Sequence, residues 1–425
     1  MRAASDTRTP PTSLSKNVFL TGLTSFFTDV SSELLYPIET GFLSLFLGAA
    51  RAFLGPVLGV IEGIAEATAS LVKVYAGWIS DRLGKRKLPA ISGYGISAVG
   101  KVALLLAATG WPFVLLSRFI DRLGKGVRGA PRDALIAESI PKESRGRAFG
   151  IQRAMDFAGA TLGAVIAFVM VLLFMDPLQK QITSAGAYMT IFVVAIVPAF
   201  VGVVFLLFTF ETAKKAQAEK RGRALLNLGL AGYDRNLKLY FLAQAVFALG
   251  NSSNQFLLLR TTDLTHDFAL TILMYIVFNL ASTIFSTFFG SLSDKVGRKK
   301  ILLLGFGIYA AVYAAFGLIG AGQSVLLWGL WPVYGIYYSL TEGVDKAFIT
   351  DLAPAERRAT ALGFSATVIG VGLLLSSLIA GVLLVLDPSA PYLFGAAMAF
   401  LALLILGFAV REKRTADEQM RKNHE

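Results

Sequence analysis

Apolar residues in this chain come in long unbroken runs, not in the strict alternation of a half-buried strand or the narrow stripe of a helix on a soluble core. Each run is long enough to cross a hydrocarbon layer of roughly 30 Å as an α-helix. About twelve are found, centred on residues 17–46, 53–79, 88–109, 112–139, 147–175, 186–210, 237–260, 268–293, 300–320, 324–351, 359–386 and 390–410. The second, fourth and tenth contain charges. The pattern predicts an all-α membrane protein with twelve transmembrane helices, whose solvent is the lipid bilayer.

Composition agrees: of 425 residues, 55% are hydrophobic and only 16% charged, and the mean hydropathy is +0.63, far from the balance of a soluble domain. The polar start MRAASDTRTPPTSLSK leads into an apolar stretch too long for a signal peptide core, so the first helix is expected to stay in the mature protein. Cysteine is absent, which excludes disulfides, thiolate metal sites and a cysteine nucleophile. The two histidines, His266 and His424, lie in a predicted loop and in the tail, which leaves little for a catalytic triad or a metal cluster. No metal or cofactor is expected.

The net charge of +12 changes the picture through its distribution. Of the 40 Lys and Arg, about 29 fall on one side of the predicted spans and only Arg51, Lys180 and Arg260 on the other. The positive-inside rule then puts both termini in the cytoplasm of a protein of the inner (plasma) membrane. An anionic lipid surface is a sufficient partner for the dispersed basic loops, so nucleic acid is not expected.

The chain repeats itself. GWISDRLGKRK from Gly77 returns as GSLSDKVGRKK from Gly290, and AESIPKESRGRAFG from Ala137 returns as TDLAPAERRATALG from Thr350; both offsets are 213 residues. Six helices therefore recur as six helices in the same orientation. Residues 1–210 and 237–425 are the expected bundles, joined by a basic cytoplasmic linker at 211–236.

These residues resemble the Major Facilitator Superfamily over nearly the whole chain. The specific marker is the loop motif GxxxD(R/K)xGxx(R/K), matched by Gly77, Asp81, Arg82, Gly84 and Lys87, and again by Gly290, Asp294, Lys295, Gly297 and Lys300. Glycine allows the tight turn, and cations hold the loop at the cytoplasmic interface. The resemblance implies that the motif aspartates latch the two bundles at opposing helix N-termini: Asp81 against the eleventh span, Asp294 against the fifth, with Glu138 and Asp351 as acidic partners. MDFAGATLGAV in the fifth span supplies Gly159 and Gly163 for close packing but has Ala164 where antiporters of the family usually carry proline. TDVSSELLYP and RLGKGVRGAPRDAL look similar to a prokaryotic group classed loosely with multidrug-type members.

Ionisable groups at bilayer depth are expensive and mark functional candidates. The first span carries Asp29 and Glu33, the second Glu62 and Glu66, each pair four residues apart and so on one helical face. With Arg118, Asp121 and Arg122 of the fourth span they fall near mid-membrane and are expected to form one cluster. Neighbouring carboxylates there resist simultaneous ionisation, which makes a proton-binding site. Mutual neutralisation of acids and bases is the competing reading. In the second half, Asn251, Asn254, Gln255, Tyr337 and Tyr338 offer neutral polar and aromatic walls suited to an organic substrate.

Within the fourth span, LGKGVRGAP has the GxGxxG spacing of a dinucleotide loop, but no strand precedes it and no βαβ pattern surrounds it. Its charges recur every three or four residues, which predicts one charged helix face turned into a cavity, with Pro131 kinking the lower half. Arg132 and Asp133 align by the repeat with Asp345 and Lys346, and pairing across the bundles is expected there. No HExxH, GxSxG or GKS/T pattern supports an enzyme or an ATP-driven pump. The expectation is a monomeric secondary transporter moving a small organic molecule by alternating access, with protons as coupling ion and export as direction; import of an organic anion or metal chelate is the alternative.

Overall fold

The computed structural model describes residues 16–48, 53–141, 145–211, 232–320, 322–354 and 357–411. The named elements among them are all helical: α1 (Lys16–Leu47), α2 (Leu54–Leu83), α3 (Lys87–Val102), α4 (Pro112–Glu138), α5 (Arg145–Phe174), α6 (Ala185–Leu207), α7 (Arg235–Gly250), α8 (Asn254–Thr265), α9 (Phe268–Val296), α10 (Arg298–Leu318), α11 (Leu327–Leu352), α12 (Arg358–Leu386) and α13 (Ala390–Leu404). Most of the expected linker, Arg51 and His424 lie outside the described residues.

Among the described residues seven stretches are long and apolar enough to cross a membrane: Lys87–Thr109, Arg147–Phe174, Ala185–Leu207, Phe268–Ser286, Arg298–Leu318, Thr360–Leu386 and Ala390–Ala409. The helices outside that set are α1, α2, α4 and α11, which carry the charges discussed below, and the short α7 and α8. Membrane insertion of charged helices depends on partners inside the protein.

The run at 237–260 does not form the single helix its hydropathy predicts. It breaks at Asn251–Ser253, and α8 restarts with the Ser253 side chain accepting from Gln255 N. Tertiary contacts satisfy the freed carbonyls: Tyr309 donates to Gly250 O at 3.0 Å, Ser376 to Asn251 O at 3.0 Å and Tyr313 to Ser252 O at 3.4 Å. Irregular backbone inside a membrane protein survives only where such partners are at hand.

Packing follows the internal repeat. α1 lies on α5 and α6, and α4 on α2 and α3; correspondingly α7 lies on α12 and α13, and α11 on α9 and α10. Contacts between the two halves run through α2 with α12 and α5 with α9. On α2, Gly55, Gly59 and Gly63 are spaced by four and so share a face. A Cβ at Gly59 would lie 2.4 Å from the Ser377 carbonyl oxygen, and one at Gly381 would lie 2.5 Å from that of Gly55. Backbones approach here as closely as glycine allows, the means by which membrane helices gain dispersion energy without a hydrophobic drive. This seam joins the helix ends opposite the basic loops.

The LGKGVRGAP glycines also serve packing. Gly124 meets α3, its absent Cβ 2.4 Å from Gly93 O, and Gly126 meets Val72 of α2. α4 runs as one helix from Pro112 to Glu138 through Pro131, whose ring removes one backbone donor.

Candidate functional site

The charged face of α4 forms the centre of the N-terminal half. Arg118 donates to Glu62 Oε1 from Nη2 at 2.7 Å and from Nε at 3.1 Å, while its Nε stands 3.2 Å from Glu39 Oε2. The guanidinium also lies 5.3 Å from the centre of the Tyr36 ring. Glu39 and Glu62 are 4% and 1% exposed, so this carboxylate–guanidinium–carboxylate triad is sealed from solvent. One turn along α4, Arg122 pairs with Glu66 at 3.0 Å.

Residues around the α7–α8 break close on this triad from the other half of the chain. Ser253 Oγ donates to Glu62 Oε2 at 2.7 Å. Since the serine has one proton to give, the Tyr36 hydroxyl 3.2 Å away is its donor. The Gln255 amide donates to Tyr36 O at 2.6 Å and accepts from the Thr40 hydroxyl. Tyr275 donates to Glu33 Oε2 at 2.8 Å. Both oxygens of Glu62 are thus occupied, one by each half of the chain. The first turn of α8 begins beside this carboxylate, where the helix dipole favours negative charge.

The sequence profile of the Major Facilitator Superfamily matches residues 21–258 and 240–424. The chain belongs to this superfamily. An uncharacterized MFS-type transporter of Methanocaldococcus jannaschii is 36% identical over 401 residues, covering 93% of this chain and 95% of that one. The multidrug resistance protein MdtH of Salmonella newport is 24% identical over 383 residues, covering 87% and 88%. Among solved structures, a D-xylose-proton symporter superposes with a TM-score of 0.74 at 16% identity, covering 93% of this chain and 98% of that one. The nucleoside transporter NupG gives 0.72 at 14% identity, covering 92% and 99%. The protein is therefore a membrane-embedded transporter and not an enzyme.

In this transporter the expected single cluster of seven charges divides into groups. Glu62, Glu66, Arg118 and Arg122 come together as two stacked ion pairs. Asp121, about 60° round the α4 axis from Arg118 with Arg122 about 40° to the other side, meets α3 and accepts from the Ser97 hydroxyl. Asp29 is only partly buried and faces Asp156, Arg128 and Lys125, while Glu33 reaches across to Tyr275. Lys101 is buried and donates to Ser31 at 2.7 Å and Ser32 at 2.9 Å. The separation follows from helix azimuth, which hydropathy does not report.

The neutral wall is also rearranged. Asn254 accepts from Tyr334 at 2.8 Å and Tyr338 at 3.3 Å. Gln255 is fully buried in the contact with α1, and Tyr337 packs in an aromatic stack with Phe247, Tyr309 and Tyr334. Those two side chains are buried, whereas Asn251 and Tyr338 remain partly accessible. Glu39 and Tyr36 went unnoticed in the sequence. Glu39 shares its apolar run with Asp29 and Glu33, the acids singled out there, but lies six residues nearer the run's outer end than Glu33.

At the basic ends the two loop motifs turn as their glycines require: Gly84 has φ 60° and Gly297 φ 100°. Gly77 packs against Ala130 of α4, Gly290 meets nothing within 4 Å, and Arg82 lies over the Trp78 ring. The Asp81 side chain lies outside the described residues. Among the described residues, Asp294 pairs with Arg298 at 3.3 Å, and Arg298 pairs with Asp351 at 2.7 Å; the Arg145 side chain, which opens α5, lies outside the described residues. Arg86 likewise holds Glu138 at 3.1 Å. Both acidic partners, 213 residues apart, are thus engaged by the basic half of the motif in their own half of the chain.

Arg132 and Asp345 do not pair across the halves either. Arg132 binds its neighbour Asp133 at 2.9 Å and Ser25 at 3.0 Å, and Asp345 accepts from Tyr240 and, at 2.6 Å, from Gln244. Among the described residues the ion pair that crosses is Arg153 with Glu342 at 2.8 Å, both half-exposed. Buried polar contacts between the halves are thus concentrated in the Tyr36–Thr40 region, while the contact toward the basic loops is exposed to water. Beyond Thr40, a cavity of about 240 Å³ opens at the opposite face, lined in part by Ser44, Gln181, Thr183 and Thr262.

Proposed function

We propose that the transporter is a monomeric secondary active carrier that exports a small organic molecule in exchange for protons by alternating access. Twelve spans form two six-helix bundles, residues 1–210 and 237–425, joined by the cytoplasmic linker 211–236; the protein sits in the inner membrane with both termini cytoplasmic. The observation that carries this reading is the Ser253–Glu62–Arg118 chain. A buried carboxylate takes one oxygen's hydrogen bond from each bundle, so any change in its charge alters the contact between the halves that must separate for the site to change sides. Likeness to a multidrug resistance protein supports export as the direction. The half-exposed Arg153–Glu342 contact, against the sealed seam at Tyr36–Gln255, supports an inward-facing state for the structure.

A second reading, import of an organic anion or metal chelate, is favoured by one observation. Arg122 Nε and Arg128 Nη1 are buried without an acceptor among the described residues, and guanidinium groups are the natural partners of carboxylates. Everted vesicles carrying an inside-acid pH gradient separate the readings. Addition of an amphipathic dye such as ethidium is expected to release protons from the vesicles, and Glu62→Gln to abolish the release. Proton movement with citrate or ferric citrate in place of the dye would favour import. Transport indifferent to the gradient would refute proton coupling.

A further inference from the structure

The two carboxylates that share Arg118 are not equivalent. Glu62 is fully committed as an anion, receiving two N–H bonds from Arg118 on Oε1 and the Ser253 hydroxyl on Oε2. Among the described residues, Glu39 is within ion-pair distance of Arg118 only, and through the guanidinium nitrogen that already serves Glu62. One guanidinium therefore faces two carboxylates in a sealed environment. Beside Arg118 and Glu62, the charged groups acting most on Glu39 among the described residues are Arg122 and Asp121 of α4, one of each sign, while the neutral Ser253 at the α7–α8 break and Gln255 of α8 face it from the other half. A buried site with one cation for two carboxylates reaches neutrality by holding a proton on the carboxylate with fewer donors.

Glu39 also has an access route. The next residue, Thr40, lines the cavity at the face opposite the basic loops, and its hydroxyl is engaged by Gln255. The Thr40–Gln255–Tyr36 bridge is the partition between that polar cavity and the triad. Withdrawal of α8 would remove Gln255 and Ser253 together, opening Glu39 to the cavity while taking one donor from Glu62.

We infer that Glu39 is the residue that takes up the coupling proton, loaded from the cavity opposite the basic loops when Gln255 releases Thr40. Hydronium in the cavity gives its proton to a Glu39 carboxylate oxygen and leaves as water, and Arg118 is then held by Glu62 alone. This assignment rests on the proton-coupled reading above.

Dicyclohexylcarbodiimide, which reacts with protonated carboxyl groups in apolar surroundings, tests it on the wild-type protein in liposomes. Mass spectrometry is expected to find the adduct on the peptide containing Glu39 and not on that containing Glu62, with labelling lost at alkaline pH. An adduct on Glu62 alone, or on neither, would overturn the assignment. In everted vesicles Glu39→Gln is expected to lose gradient-driven ethidium movement but retain exchange at equal pH, and Glu39→Asp to recover coupling. If the wild type ignores the gradient, proton coupling itself is wrong; if wild type and Glu39→Gln are equally coupled, only the choice of residue is wrong. Should Glu39→Gln fail to fold, the carbodiimide result on wild type decides.

Discussion

The seam between α2 and α12 offers a direct test of how the two halves are held together. At Gly59 an added Cβ would lie 2.4 Å from the Ser377 carbonyl oxygen, about 1 Å inside ordinary van der Waals contact, and its neighbour there is backbone that no rotamer change can move aside. Gly59→Ala must therefore push α12 away from α2, at a cost of about 1–3 kcal/mol for an overpacked interface. On the alternating-access mechanism proposed above, the seam exists only while this face is closed, and that cost falls on one state of the transport cycle. The equilibrium between states should shift by about 5- to 150-fold toward separation. The absence of native cysteine makes the assay clean: Thr262→Cys, lining the cavity at that face, is labelled with a membrane-impermeant maleimide with and without Gly59→Ala. Faster labelling in the double variant is expected. An unchanged rate in a folded protein would show that the glycine contact does not hold this face shut.

Arg118→Leu strands two buried carboxylates and should destabilise the protein by about 3–5 kcal/mol, whereas Arg153→Gln, at a half-exposed pair, should cost at most about 1 kcal/mol; thermal melts of the detergent-purified variants give the comparison, and equal effects would refute the burial argument. Outside the spans, backbone N–H groups of Gln179 and Leu178 hold the Asp176 carboxyl below its usual range. A carboxyl whose folded pKa is depressed adds stability above its unfolded pKa, about 3.9, and loses it as the pH falls through the folded value. The difference in melting temperature between wild type and Asp176→Asn should therefore narrow as the pH drops below about 4, and a difference constant with pH would contradict this.

Hydropathy, the repeat offset of 213 residues and the doubled loop motif were enough to read an all-helical membrane transporter of this superfamily, because lipid imposes length and apolarity on each span separately. The charged face of α4 was legible for the same local reason, since residues three and four apart share a helix face whatever surrounds them. The close-packing role of Gly159 and Gly163 in α5 was legible too: a Cβ there would lie 2.4 Å from Phe26 O and 2.5 Å from Val30 O of α1.

Local pattern says nothing of rotation about a helix axis or of which helices meet. Asp121 turning toward Ser97, Asp29 standing apart with Asp156, and Arg298 claiming Asp351 all depend on the azimuth and splay of neighbouring helices. The break at Asn251–Ser253 was invisible because its carbonyl partners, Tyr309, Tyr313 and Ser376, are about 60 to 125 residues away in the chain. Glu39 was not singled out in the sequence, and only Arg118 and Glu62 closing around it give it a role. Sequence determined which side chains the membrane had to accommodate; tertiary structure decided which of them would share a partner, because the energy of a buried charge is set by the few groups within reach of it.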